Sequence, residues 1–200
     1  MKKEIEKIIK DKEKQEKIYD YFLLLKEWSE NINLISRREI EKNFLNLLNI
    51  SVFTFERTKE YKKIVDFGSG AGFPSIPGKI LDEERELVLV EPGKRAEFLE
   101  AVKEKLCLEN IKIEKKDFAG FFKKKRKTLF DIGISWGIRD KISLLKTGEN
   151  FVSIGYVFIT GPNEIKKMRE KKMNYKITAE KINGKTLLSL VFARKFHVEH

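Results

Sequence analysis

Val65-Asp66-Phe67-Gly68-Ser69-Gly70-Ala71-Gly72-Phe73-Pro74 carries a short apolar strand straight into three glycines at every second position. Ile64 to Phe67 follow a lysine pair and read as a buried strand, and the glycines leave the turn behind it without Cβ atoms. Backbone N–H groups in such a turn can approach a ligand closely. A helix is expected to begin between Phe73 and Pro77, with its partly positive N-terminus facing the same ligand. This is the pattern of a nucleotide-type site. The dinucleotide fingerprint wants Gly-x-Gly-x-x-Gly, and here Phe73 stands at the third glycine while Gly72 comes one residue early, so NAD and FAD fit poorly. No Gly-Lys-Ser/Thr closes the turn, which excludes a Walker A loop. Asp66 puts a carboxylate at the strand's C-terminal end, where it repels a pyrophosphate and suits a cationic amino group. S-adenosyl-L-methionine carries an ammonium and a sulfonium and has no phosphate. It is the expected cofactor, with Asp66, Gly68, Ser69, Gly70, Gly72 and Phe73 around it. A glycine turn that merely joins a strand to a helix is the plain alternative.

Composition narrows the class. Two hundred residues with 41% apolar content suit one domain with a short appendage. The formal charge of +11 favours a polyanionic partner such as RNA, DNA or anionic lipid, although Lys and Glu enrichment also marks proteins from hot environments. Cys107 is the only cysteine, so an intrachain disulfide and a cysteine-built zinc site are both excluded, and it reads as a small hydrophobe packed in a helix. No signal peptide and no apolar run near membrane-spanning length is present, from which a soluble, cytoplasmic protein, without a membrane partner and monomeric, is expected. His197 and His200 stand at the C-terminus and read as a tag or tail, not as ligands; no metal is expected.

Taken in order, residues 2 to 17 are almost all charged, with Ile5, Ile8 and Ile9 at helical spacing, a surface helix with a narrow apolar stripe. From Ile18 a second helix carries Tyr21, Phe22, Leu24, Leu25 and Trp28, aromatics that read as core. After a loop over 31 to 36 a third carries Ile40, Phe44, Leu45, Leu47 and Leu48. From Lys63 onward, strands and helices alternate at the spacing of parallel βαβ units. The strands fall at 63–67, 86–90, 111–114, 130–134, 152–160, 175–181 and 186–194, and the helices at 74–82, 93–107, 138–147 and 162–172. Asn183-Gly184 joins the last two strands as a two-residue hairpin. The expected fold is therefore α/β: a doubly wound, Rossmann-like methyltransferase sheet, mostly parallel, with an antiparallel C-terminal hairpin. Residues 1–60 form an N-terminal helical cap, 61–196 the S-adenosylmethionine-binding domain and 197–200 a tail.

In such a sheet, ligands lie beyond the C-terminal ends of the strands. Glu91 ends the second strand, where an acid reaches ribose hydroxyls. Asp117-Phe118 follow the third, where an acid could accept from the adenine amino group and a ring could pack on the base; an exposed turn is the alternative. Ser135-Trp136-Gly137 end the fourth, beside the expected substrate entrance. Trp136 could stack a target base or be buried. The basic run Lys123 to Lys127 reads as a loop, and Lys166, Lys167, Arg169, Lys171 and Lys172 share a helix; either could hold phosphates or simply be solvated. Methylating a nitrogen lone pair such as guanine N7 leaves no proton to be removed beforehand, so the site needs orientation and desolvation but no base. No catalytic residue is assigned; Trp136, Arg139 and Ser135 are candidates for substrate positioning.

Gly68-Ser69-Gly70-Ala71-Gly72-Phe73-Pro74 with Ile76-Pro77 resembles the cofactor loop of the RsmG (GidB) family. Trp28 to Leu34 is similar to that family's Trp-Asn-x-x-x-Asn-Leu segment, Gly93-Lys94-Arg95 with Phe98-Leu99 to its Gly-Lys-Arg-x-x-Phe-Leu helix, and Phe130-Asp131 with Ser135 fall into register. The resemblance implies an S-adenosylmethionine-dependent methyltransferase acting on guanine N7 of 16S, small-subunit ribosomal RNA, with that RNA or the ribosomal particle as partner. The chain also departs from the pattern. Trp136-Gly137 replace an Arg-Ala pair, leaving Arg139 as the nearest arginine, and Thr160-Gly161 replace Lys-Gly. Asn43 and Asn46 stand for a His and an Asp, and Asp117-Phe118-Ala119 align with Arg-Ala-Glu. Two other readings follow: a divergent relative that binds cofactor and RNA in ribosome assembly without methylating, or a methyltransferase with another substrate. The chain has no Asn/Asp-Pro-Pro-Tyr/Phe motif after the fourth strand, which speaks against methylation of exocyclic amino groups.

Overall fold

Asp11 divides the charged N-terminal segment into two helices. Its carboxylate accepts a hydrogen bond from the Lys14 amide at 3.0 Å, the geometry of an N-cap, while Ile9 before it is extended. The helix expected over 2 to 17 is thus replaced by α1 (Lys2–Ile8) and a continuous α2 (Lys12–Trp28). Neither lies loosely on the surface, because Ile5, Ile9, Ile18, Tyr21, Phe22 and Leu25 are buried in the main core. A third helix, α3 (Ile40–Arg57), completes the segment before the sheet.

The computed structural model describes residues 1–38, 40–124, 130–148, 150–170, 175–182 and 187–193. From the first strand the order is β1 (Lys63–Phe67), α4 (Ser75–Leu81), β2 (Glu86–Val90), α5 (Lys94–Lys105), β3 (Ile111–Glu114) and α6 (Phe118–Lys124). There follow β4 (Phe130–Trp136), α7 (Lys141–Gly148), β5 (Val152–Thr160), α8 (Pro162–Glu170), β6 (Tyr175–Lys181) and β7 (Leu187–Ala193). The strands form one sheet in the order β3-β2-β1-β4-β5-β7-β6. Neighbours from β3 to β5 are parallel, whereas β7 runs antiparallel to both β5 and β6. The expected doubly wound sheet with its C-terminal hairpin is therefore present, and the strand order reverses at β1, between β2 and β4.

Burial explains the layers. Ile64 to Phe67 of β1 are buried on both faces, as a central parallel strand must be. One face packs on α1 to α5 through residues such as Ile64, Leu87, Ile132, Ile76 and Phe98, so the N-terminal helices share one core with the sheet. The other packs on α6, α7 and α8 through Val65, Phe67, Phe121, Leu144, Phe158 and Met168. Helix α6 was not expected. Asp117 starts it by accepting a hydrogen bond from the Gly120 amide at 2.7 Å, and Phe121 and Phe122 fill the space under it. Cys107 is likewise corrected: α5 ends at Lys105, Leu106 and Leu108 take the buried positions, and Cys107 is exposed between them. Lys125 to Lys127 of the basic run, Lys171, Lys172, the Asn183-Gly184 turn and His197 to His200 lie outside the described residues.

Candidate active site

The bend between β1 and α4 is shaped by its own hydrogen bonds. Gly68, Gly70 and Gly72 have φ of +70°, +56° and +93°. The Gly68 amide donates to Val90 O at 2.8 Å, the Gly72 amide to Ser69 O at 2.7 Å and the Gly70 amide to Glu91 Oε2 at 2.9 Å. A carboxylate at the end of β2 is thereby fastened to the bend that follows β1. Glu91 is 5% exposed, and burial raises its pKa against the opposing effects of the Gly70 amide and Arg95. The Arg95 guanidinium lies 3.6 Å from its other oxygen.

Asp66 sits beneath this bend. It is 1% exposed, and its Oδ2 accepts from Ser75 Oγ at 2.7 Å. Its Oδ1 has no hydrogen-bond partner among the described residues. Burial pushes the Asp66 carboxyl up to about 7; the Ser75 hydrogen bond opposes that rise and the nearby Glu91 charge adds to it.

Above the bend opens a cavity of about 340 Å³. Gly68, Ser69, Gly70, Ala71 and Phe73 line it from below, Glu91 and Arg95 from the β2 side, and Trp136, Gly137 and Ile138 from the end of β4. Leu34, Ile35 and Leu47 close it from the α2–α3 segment. The structure thus joins the glycine bend, the second acid and an apolar wall in one space suited to a ligand with a polar and a flat apolar part.

The GidB family, described as "rRNA small subunit methyltransferase G", matches residues 14–191 of the chain. The chain belongs to this family. Relatives in the GidB family include the ribosomal RNA small subunit methyltransferase G of Clostridium tetani, 33% identical over 182 residues, covering 86% of this chain and 74% of that protein. The protein of the same name from Brachyspira hyodysenteriae is 29% identical over 197 residues, covering 98% and 87%. Among solved structures, a putative O-methyltransferase from Klebsiella pneumoniae superposes with a TM-score of 0.62 at 11% identity, over 88% of this chain and 89% of that one. The tRNA (m1A58) methyltransferase TrmI from Aquifex aeolicus does so at 0.55 and 17% identity, over 74% and 69%. At these identities the structures share the fold.

Within this GidB chain, the residues singled out from the sequence fall into separate places. Gly68, Ser69, Gly70, Phe73, Glu91 and Trp136 line the cavity, whereas Asp66 and Gly72 support the bend without lining it. Asp117 caps α6, and Phe118 is half-buried against the second core; neither lines this cavity. Ser135 is fully buried and, as the neighbour of Trp136 in a strand, points to the opposite face of the sheet. Its Oγ has no partner among the described residues. Arg139 lines a different cavity, of about 510 Å³, with Lys141 of α7 and Glu164 and Lys167 of α8. Asn43 donates to the Arg38 carbonyl at 2.8 Å and so braces the α2–α3 segment from within α3.

Sequence reasoning passed over Leu34, Ile35, Leu47, Arg95 and Ile138 as lining residues. Arg95 had a signal, since it belongs to the Gly-Lys-Arg segment that resembles the family's. Leu34 likewise ends the Trp28 to Leu34 segment that resembles the family's, whereas Ile35, Leu47 and Ile138 had none, because an aliphatic side chain that faces a cavity and one that faces a core follow the same periodicity. Among the described residues, no helix is long and apolar enough to cross a membrane.

Proposed function

We propose that this chain is an S-adenosylmethionine-dependent methyltransferase that acts on N7 of a guanine in small-subunit (16S) ribosomal RNA, as a monomer in the cytoplasm. The observation that carries the reading is the Gly70–Glu91 hydrogen bond under a cavity walled by Trp136, in a chain of the GidB family. The residues present fit the cofactor. Glu91 offers a carboxylate to ribose hydroxyls, the bend offers close backbone approach, and Asp66 adds a buried acid whose free oxygen lies under a bend that carries no phosphate-binding lysine. When bound, S-adenosylmethionine supplies a methyl group made electrophilic by its sulfonium.

The remaining work belongs to the protein. Trp136 presents a flat face against which a guanine stacks, and Leu34, Ile35, Leu47 and Ile138 keep water from the reacting atoms. N7 attacks with a lone pair and carries no proton, so these residues orient and desolvate rather than move protons. We assign Asp117 and Phe118, which lie past the lining of this cavity at the start of α6, to the adenine end, and the exposed Arg139 and Lys167, around the second cavity, to RNA phosphates. Residues 1–60 act as the cap and 61–196 as the cofactor-binding domain. Mass-spectrometric mapping of small-subunit RNA with and without the gene tests the assignment. The expected result is loss of one guanine N7 methyl group in its absence; an unchanged methylation pattern overturns it.

The Trp136-Gly137 and Thr160-Gly161 departures favour one second reading, a relative that binds cofactor and RNA in ribosome assembly without turnover. Transfer of labelled methyl groups from S-adenosylmethionine to isolated small subunits separates the two. Cofactor binding without incorporation selects the second.

A further inference from the structure

Tyr21 lies on the buried face of α2, fully excluded from solvent, yet its hydroxyl reaches a backbone atom of the glycine bend: Tyr21 Oη donates to Ala71 O at 2.5 Å. The ring is held by Phe73, Phe44 and Phe98, with centroids 5.4, 5.9 and 6.4 Å away. The hydroxyl therefore has little freedom to go elsewhere. The peptide it grips is anchored at both ends, because the Gly72 amide of that same peptide donates to Ser69 O at 2.7 Å. On the far side of the bend, the Gly70 amide is held by Glu91.

A bend made of glycines has many backbone conformations open to it, and what selects one is the set of bonds that hold its peptide planes. Here one holding bond comes from β2 and another from a helix that precedes the sheet by a long stretch of chain. We infer that Tyr21 is a positioning residue of the cofactor site: it sets the plane of the Ala71–Gly72 peptide and with it the direction of the amides that line the cavity. The inference rests on the reading of that cavity as the S-adenosylmethionine site. It makes α2 part of the cofactor machinery and not only a cover over the sheet. Ordering the bend before the ligand arrives lowers the entropy lost on binding.

Tyr21→Phe keeps the ring and removes the hydroxyl. In calorimetry on the full chain, S-adenosylmethionine should bind about five- to tenfold more weakly, because an unpaired buried carbonyl lets the bend shift. Affinity for a small-subunit RNA fragment should stay within about twofold, since Tyr21 does not line the cavity. Amide hydrogen exchange at Gly70 and Gly72 should quicken while that of β4 and β5 is unchanged; a merely structural role would quicken both. Unchanged cofactor affinity together with unchanged exchange at the bend overturns the inference. If the unmutated protein binds no S-adenosylmethionine, the cofactor reading fails by itself, and exchange at the bend without ligand still decides the role of Tyr21. Should Tyr21→Phe not fold, the hydroxyl proton of Tyr21, followed by NMR in the unmutated protein, takes its place. It should shift when S-adenosylmethionine is added, and a proton that stays fixed while the glycine amides move overturns the inference.

Discussion

Glu91 Oε2 accepts a hydrogen bond from the Gly70 amide at 2.9 Å, which ties the end of β2 to the bend after β1. Glu91→Gln keeps an acceptor for that amide but gives up the charge that strengthens bonds to ribose hydroxyls. S-adenosylmethionine should bind about tenfold more weakly, roughly 1.4 kcal/mol. The thermal midpoint should hold or rise, because burial already disfavours the ionised form of Glu91. Calorimetry and thermal unfolding check both, and undiminished affinity would remove Glu91 from the cofactor site.

Asp66 should make stability and binding respond to pH in opposite senses. Its folded pKa of about 7 lies above the ordinary value of 3.8, so between those values the native state holds a proton that the unfolded chain has lost. The Asp66 contribution to stability is fully present below pH 4 and is lost as pH rises toward 7. A cationic ligand favours the ionised carboxylate instead, so affinity for S-adenosylmethionine should rise between pH 6 and pH 8, by up to about tenfold. Asp66→Asn should flatten both profiles. A binding profile that keeps its slope in that variant assigns the titration to another group.

Gly70 and Gly72 should differ sharply when given a side chain. A Cβ on Gly70 meets nothing nearer than Gly68 O at 3.9 Å, so the penalty comes from φ of +56° and not from crowding. Gly70→Ala should fold with about 1 to 2 kcal/mol less stability and place its methyl beside the cavity floor, weakening cofactor binding. A Cβ on Gly72 falls 2.5 Å from Ile76 Cγ1 and 3.0 Å from Leu99 Cδ2, with φ of +93° as well. Gly72→Ala should therefore cost about 2 to 4 kcal/mol, combining overpacking and backbone strain. Equal midpoints in urea unfolding would contradict this account of the bend.

Trp136 should matter to RNA and not to the cofactor. Trp136→Ala is expected to weaken binding of a small-subunit RNA fragment by about 1 to 3 kcal/mol, the worth of one base stacked on an aromatic ring. Affinity for S-adenosylmethionine should change by less than about twofold. Filter binding at fixed salt measures the first and calorimetry the second. A variant that loses cofactor and keeps RNA would reverse the assignment of the two ends of the cavity.

Much of this molecule could be read along the chain because its signals are local. Alternation of strands and helices from Lys63, the glycine bend and the acids Asp66 and Glu91 at strand ends all depend on residues within a few positions of one another, and every strand and helix expected from there on appears within a few residues of its expected bounds. The N-terminal boundary was misread because charge hid the Asp11 cap, and α6 was missed because a short helix under a basic run has too few turns to show a period.

By itself the sequence determined the class of sheet and the bend, since backbone freedom and strand period are properties of neighbouring residues. Only the tertiary structure decided that Glu91 lines the cavity while Asp66 lies below its floor, that Trp136 and Ser135 face opposite sides of β4, and that Tyr21 reaches Ala71. Those relations join segments far apart in the chain. They depend on how whole elements pack, which no local pattern of residue types encodes.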